Sequence, residues 1–498
     1  MATLLSCGRG SDATVSAVEI GLFAQAARAP IPPGADRVLT SGFDAIGTGG
    51  ATYVHDPAVN RVHVARNPNS AFIAADGRGF RLDTTASINP ETLGLRIGLG
   101  RGYARRNQEA IASALRLSRR VTLPAGDIDF QTDSMFTLPA LDGMEIAGQG
   151  WTTRIVTRNS AFLLPDVSRL TIRDLWIEQT ATANAAIQSF HANLRDIRLF
   201  RLKITMRDQE TCRNNCIALV MDDSPVGADG VIGLKGLLME DCWFAPGRMG
   251  IEIQNHRLRD DRNKLYAYQD ITMRGCTVWK APAFHGMGIS LTGWGADCLI
   301  ERNRFVACHG PNVEIIGSDR TSIIDNVFED AIGSPITASN FRIVSDCRIL
   351  RNHTVGKPPS VALFLQAVDG AEVADNVMST TGVVIVKGSN VHIHDNSFTG
   401  VGTGVLMQLD NARRVILEKN RFLLTGTTTP QVMVIAFNDT RDCVVRFNLM
   451  ERADYDVRNN DRWFFQAAPA RGSVAYGNER RGRGGRHVEP VPPGGRRP

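Results

Sequence analysis

A chain of 498 residues with 43% hydrophobic content can bury a large core, and no apolar run reaches the roughly 18 residues that a membrane-spanning helix needs. Its formal charge of +5 is uneven: residues 479–498 carry six arginines against two glutamates, so the body is nearly neutral and shows no basic patch with interleaved aromatics to suggest nucleic acid. Abundant glycine (47 residues) and few aromatics (7%) favour many short strands joined by turns over long helices.

Residues 1–30 read as a helical or flexible segment, with a short helix over 13–28. Arg9, Asp12 and Glu19 break its apolar stretches, which does not suit a secretory signal. Residues 31–100 read as a small β module containing SGFDAIGTGGATYVHD and ADGRGFRLD. From Asn107 to Leu117 an amphipathic helix is expected, with Asn107 as its N-cap and Ala110, Ile111, Ala114 and Leu115 as its apolar stripe. It runs into RVTLPAG at 120–126.

Residues 101–465 are the repeating body. From about residue 290 a unit of roughly 20–26 residues recurs: a short apolar run, a turn, and a second run ending in Asn. The asparagines are Asn303, Asn326, Asn352, Asn376, Asn396, Asn420 and Asn448, in segments such as LIERNRF, SIIDNVF and HIHDNSF. Asn suits a stacked turn because it tolerates left-handed backbone and its amide can bond to the next coil. These asparagines are therefore scaffold. Upstream, Asp241 and Gly275 take their place. The apolar period of two and the Val/Ile/Thr content exclude a helix-pair solenoid and predict an all-β, parallel β-helix of about ten to twelve coils, which the preceding helix would cap.

Nine widely spaced cysteines do not form a disulfide framework. Cys298, Cys347 and Cys443 each stand five residues before a repeat Asn, an inward position. Cys212 and Cys216 could form a local disulfide or half of a metal site, but no second pair accompanies them, and no metal site is expected. Residues 466–498 read as a disordered basic tail.

The order helix, V-x-L-P-x-G (Val121–Gly126), then G-x-G (Gly148–Gly150) before a Thr/Arg strand resembles the opening of pectate-lyase-superfamily proteins. These include polygalacturonases, polysaccharide lyases and bacteriophage tailspikes. The resemblance spans about residues 100–460 and implies a right-handed, single-stranded, pectin-lyase-like parallel β-helix. Family members often carry an Asp before the capping helix, where this chain has Arg106-Asn107. The front segment is similar to the β module preceding the β-helix in tailspike-like proteins, with Gly47-Thr48-Gly49-Gly50 where G-D-G-G is usual. That likeness implies an extracellular or virion-associated protein and a homotrimer.

In such a solenoid, chemistry belongs on an outward sheet face, where strands about 4.8 Å apart form a groove for a linear polymer. Aligning GIEIQNH, GISLTGW, NVEIIGS and PITASN puts Ile251/Ile253, Ile289/Leu291 and Val313/Ile315 inside, and Glu252, Ser290, Glu314 and Thr337 outside. Glu252 and Glu314, two coils apart, are the candidate catalytic pair, because inverting glycoside hydrolysis needs two carboxylates with room for a water. A solvated pair of surface glutamates is the alternative. Substrate contacts are expected from Arg257, Arg259, Tyr266, Tyr268, His285, Ser290, Trp294 and His309, which cluster around long insertions at 222–231 and 255–268. Trp279 joins this group of possible sugar-stacking rings.

The expected function is depolymerisation of a bacterial surface or extracellular polysaccharide by glycoside hydrolysis or β-elimination. No cofactor is expected, with Ca²⁺, for instance at Asp222/Asp223, only in the case of a lyase. The alternative is a non-enzymatic glycan- or receptor-binding tail protein.

Overall fold

The computed structural model describes residues 3–5, 16–100, 102–181, 184–255, 265–282, 285–338, 343–402, 405–426, 433–458, 463–466 and 470–491. They divide into two compact units: residues 1–163 with 167–178, and residues 164–166 with 179–498.

The first unit begins with a six-stranded sheet in the order Thr3–Leu5, Ser16–Leu22, Ala35–Gly42, Ala51–His55, Gly79–Leu82, Ala71–Ile73. Phe23, Phe43, Tyr53, Phe72 and Phe80 pack on one another with ring centroids about 5–6 Å apart, giving this module its own core. The helix expected over 13–28 is instead strand Ser16–Leu22 followed by a 3₁₀ turn, Phe23–Arg28. Alternating Val18 and Ile20 are buried there, so the period is two and the segment pairs with Ala35–Gly42.

The capping helix spans Tyr103–Ser118, and Ala104, Ala110, Ile111, Ala114 and Leu115 are its buried stripe. Asn107 is not its N-cap. Gly102 holds that position, and Asn107 lies fully buried within the helix. Its amide accepts from the Arg96 N–H at 2.8 Å and donates to the Arg96 and Asp129 carbonyls, tying the helix to both neighbouring segments. The first parallel strands follow, Arg120–Thr122 with Glu145–Ala147 and Gly126–Phe130 with Thr153–Thr157.

The second unit is a parallel β-helix. Each coil contributes three strands, and each strand pairs in parallel with its equivalents one coil before and after. Among the described residues eleven such strands build the first sheet, from Ile187–Phe190 to Phe464–Gln466. Ile251, Ile289, Val313 and Ile336 stack inward at one register position and are fully buried. On the third sheet, which includes Lys203–Met206, Trp243–Ala245, Thr277–Trp279 and Arg304–Val306, Phe305 stacks on Phe328 at 5.4 Å and Phe398 on Phe422 at 5.6 Å, because the same inward position recurs at every strand spacing.

The asparagine ladder is present, but its division of labour differs from the expectation. The left-handed residue is the one before each Asn: Arg302, Asp325, Arg351, Asp375, Asp395, Lys419 and Phe447, with φ between 53° and 57°. The Asn itself does the bonding. Asn303 donates its backbone N–H and its amide to Asn326 Oδ1 at 3.0 and 3.1 Å, and its amide also reaches the Met273 carbonyl. The pattern repeats from Asn326 through Asn448 and on to Asn478. Asp241 and Gly275 are accordingly the left-handed residues of their coils, and Cys242 and Cys276 occupy the ladder position.

The ladder ends when the Asn478 amide donates to Glu489 Oε2 at 2.7 Å. Strands Val474–Tyr476 and Glu479–Arg483 continue the coils, and Gly485–Val488 turns back antiparallel. Residues 474–488, expected to lie in a disordered tail, are thus ordered by strand pairing. Cys298, Cys347 and Cys443 are inward and buried as expected, and burial pushes the Cys298 and Cys347 thiols up to about 12. Cys212 and Cys216 are both buried and unbridged.

Candidate active site

The outward row of the first sheet forms as the alignment placed it. Glu252 pairs in register with Ser290, Ser290 with Glu314, and Glu314 with Thr337. The row runs from Gln188 and Ala218, ahead of Glu252, on through Phe364 and Ile385 to Gln408. Parallel register puts these side chains on one face, one coil apart, so Glu252 and Glu314 stand about 9.6 Å apart at the backbone.

Each carboxylate is held by a different neighbour. The Asn215 amide donates to Glu252 Oε2 at 2.5 Å, and Asn215 Oδ1 in turn accepts the Met249 N–H, so the amide is fixed at both ends. The Ser290 hydroxyl donates to Glu314 Oε2 at 2.8 Å and lies 3.1 Å from Thr292 Oγ1. Burial pushes the Glu314 carboxyl above its ordinary range, and the charge of Glu252 adds to this. The Ser290 donor and His285 pull the other way without cancelling it. Two carboxyls therefore share one face, and Glu314 is the one held above its ordinary range.

The other sequence-predicted residues divide. His285 and His309 are exposed and hold equivalent places in successive coils, four residues before Ile289 and Val313; Gly310 N–H bonds to the Gly286 carbonyl between them at 2.9 Å. They border the row. Ser290 is in the row but only 3% exposed, so it serves Glu314 and does not itself present a surface to a polymer. Trp294, half-buried, follows Gly293, where φ of +101° and a register shift end the regular strand.

Tyr268 is not a substrate residue. It is fully buried against Gly295, where even a methyl group would clash with its ring. It stands three residues before Ile271, and the left-handed Asp270 (φ 58°) between them shifts the alternation so that both point inward. Tyr266 belongs to a separate cluster, with Arg320 over its ring at 5.4 Å and its hydroxyl 3.4 Å from Asp319. Trp279 lies on the third sheet, stacked on Trp243 at 5.6 Å, away from the glutamate row. Asp223 lies beside His191, its N–H bonding to that ring at 3.2 Å. Arg257 and Arg259 lie outside the described residues.

Sequence reasoning missed Asn215. It stands in ETCRNNC, where the cysteines drew the eye, and its position just ahead of strand Ile217–Val220 was the available signal. The apolar stretch of the row at Phe364 and Ile385 was also missed, because those coils read only as regular scaffold.

Residues 264–422 match the sequence model of the right-handed β-helix region, and the fold is a right-handed parallel β-helix. No curated protein matches the chain. Among solved structures, the A-module of a mannuronan C-5 epimerase from Azotobacter vinelandii shares 12% identity, with a TM-score of 0.48 over 79% of this chain and 99% of that one. A surface adhesin of Streptococcus pneumoniae shares 11%, at 0.46 over 81% and 94%. The enzymatically active domain of a bacteriophage CBA120 tailspike protein shares 12%, at 0.40 over 89% and 54%.

Proposed function

We propose that the face bearing Glu252, Ser290 and Glu314 is the active site of a polysaccharide depolymerase that hydrolyses glycosidic bonds with inversion. The observation that carries this reading is the register itself: two carboxyls in one outward row, two coils apart, with the intervening residue a small hydroxyl bonded to one of them. The spacing leaves a water between the carboxyls, as inverting hydrolysis requires at separations of about 6.5–9.5 Å. Glu314, held above the usual carboxylate range, gives its proton to the leaving glycosidic oxygen. Glu252 takes a proton from the water as that water's oxygen bonds to the anomeric carbon. Exchange with solvent then returns both groups to their starting states. Asn215 keeps Glu252 aimed throughout.

Hydrolysis is preferred to β-elimination because elimination needs a cation to neutralise a uronate carboxylate. Among the described residues of the two outward rows on this sheet, the cation is Lys387, and Asp410 already binds it at 2.8 Å. The polymer runs along the coils, with Phe364 and Ile385, beyond Thr337 in the same row, as an apolar platform for a sugar face. A glycan of a bacterial surface or matrix is the substrate class, which puts the protein outside the cell or on a virion; no helix among the described residues is long and apolar enough to cross a membrane.

The test is reducing-end release from a panel of bacterial exopolysaccharides by the wild type, Glu252→Gln and Glu314→Gln, with product anomers followed by NMR. Turnover by the wild type, lost in both variants while polymer binding persists, is the expected result. Unsaturated uronate products would replace hydrolysis by elimination. Binding without any cleavage across the panel would make this a glycan-binding protein.

A further inference from the structure

The first unit has a cleft of its own, with a volume of about 1020 Å³, bordered by helix Arg61–Arg66 with the residues after it and by the outer face of the capping helix. The capping helix turns its apolar stripe inward. Arg105, Glu109, Ser113 and Arg116, spaced four and three apart, share the opposite face and line this cleft with Arg66 and Arg106. Four arginines therefore meet one glutamate. Arg105 is paired with Glu109 at 2.9 Å, and Arg106 binds the Gly94 carbonyl and Asp44. Arg66 and Arg116 are exposed, and among the described residues neither guanidinium has an ion-pair or hydrogen-bond partner.

Two unneutralised guanidinium groups lining one cavity repel each other, and an anion between them removes that cost. Guanidinium is also suited to planar, bidentate recognition of a carboxylate. The remaining polar wall is amide and hydroxyl: Asn67, Asn69, Ser113 and Ser134 among them, groups that bond to sugar hydroxyls. Phe136 also lines the cleft but is 6% exposed, which leaves no stacking platform for nucleic-acid bases there.

We infer that this cleft is a second carbohydrate site, which holds a carboxylate-bearing saccharide by Arg66 and Arg116 and cuts nothing. It tethers the protein to an acidic glycan independently of the glutamate row. This inference does not rest on the proposed hydrolysis, because it is read by binding alone.

The experiment is calorimetric titration of the full chain with oligogalacturonate, maltohexaose and sodium sulfate, in the wild type and in Arg66→Ala/Arg116→Ala. Both positions are exposed, so the variant is expected to melt at the wild-type temperature. Oligogalacturonate should bind the wild type, weaken at least tenfold in the variant, and weaken with added salt; maltohexaose should not bind through these arginines. Equal oligogalacturonate affinity in wild type and variant would overturn the inference. So would a maltohexaose affinity that falls equally in the variant. Sulfate binding that fully accounts for the oligogalacturonate signal would reduce the site to a simple anion site and overturn the saccharide assignment.

Discussion

Within the β-helix, the coils from Asn303 onward and the coils before Cys276 satisfy the same turn by different means. In the later coils each Asn accepts two donors on one oxygen and passes its amide to the next coil, in a chain that ends at Glu489. In the two coils just before Asn303 the position is sulfur: Cys242 N–H meets Cys276 Sγ at 3.4 Å, a weaker acceptor with no amide to pass on. The proposed site spans that change. Glu252 belongs to the coil of Cys276, and Ser290 and Glu314 belong to the coils of Asn303 and Asn326. Glu314 is therefore bonded by Ser290 on the asparagine side of the boundary, and Glu252 by Asn215, ahead of the strand of an earlier coil. The difference teaches that two side chains in one row can be given distinct surroundings by setting them across the seam.

The comparison breaks outright if the two carboxyls are interchangeable with ordinary surface glutamates. Glu314→Gln and Glu252→Gln are each expected to lower kcat by about 10²–10⁴-fold, the usual contribution of a positioned acid or base, with far-UV circular dichroism unchanged. A loss below tenfold in both would remove the catalytic reading and leave the scaffold description intact.

The next largest effect belongs to the ladder. Asn376→Ala strands the buried N–H of Asn352 and removes the amide donor to the Ile349 carbonyl, while the Asn352 amide keeps the Ile323 and Leu350 carbonyls. Unsatisfied buried groups cost about 1–3 kcal/mol each, so a loss of about 3 kcal/mol or more is expected in denaturant unfolding. Cys276→Ala removes only sulfur contacts and a small side chain, and about 1–2 kcal/mol is expected there. Equal costs at the two positions would mean that the two kinds of coil are held alike.

Much of this was legible in the sequence. The Asn spacing gave the fold, and the period of two gave the register that puts Glu252, Ser290, Glu314 and Thr337 in one row. Three limits are physical. The period does not say which residue of a Xaa-Asn turn takes the left-handed conformation, and Asn is the type that ordinarily tolerates it, so that conformation was expected at the Asn although the residue before it, Arg302 or Phe447 for instance, adopts it. Aromatic residues near an insertion look alike in sequence whether they point in or out; a period of two counted back from Ile271 puts Tyr268 outside, and the left-handed Asp270 between them turns it into the core. The arginine-rich end looked disordered by composition, yet Arg480 and Glu489 are buried around the last Asn, where strand pairing outweighs composition.

A smaller effect tests whether Glu314 is held at a cost to folding. Its carboxyl is raised above the usual range in the folded state by burial, so its contribution to stability is fully present below the unfolded pKa and is lost as pH rises through the folded one. Glu314→Gln removes that loss. The variant should melt above the wild type at neutral pH, and the difference should shrink to nothing as pH falls below the ordinary carboxylate range. Melting curves between pH 3 and pH 8 would show it, and a variant less stable at every pH would mean that Glu314 contributes net structural bonding.

The finest prediction concerns Ser290, whose hydroxyl favours the charged form of Glu314. Ser290→Ala removes that donor, so the Glu314 carboxyl rises further and keeps its proton to higher pH. If Glu314 is the acid, its ionisation sets the basic limb of the kcat profile, and that limb should move to higher pH in the variant. If Glu314 were the base, the acidic limb would move upward instead and activity at low pH would fall. A single pair of pH profiles thus assigns the two glutamates to their roles, and a variant whose limbs both stay in place would show that Ser290 does not tune Glu314.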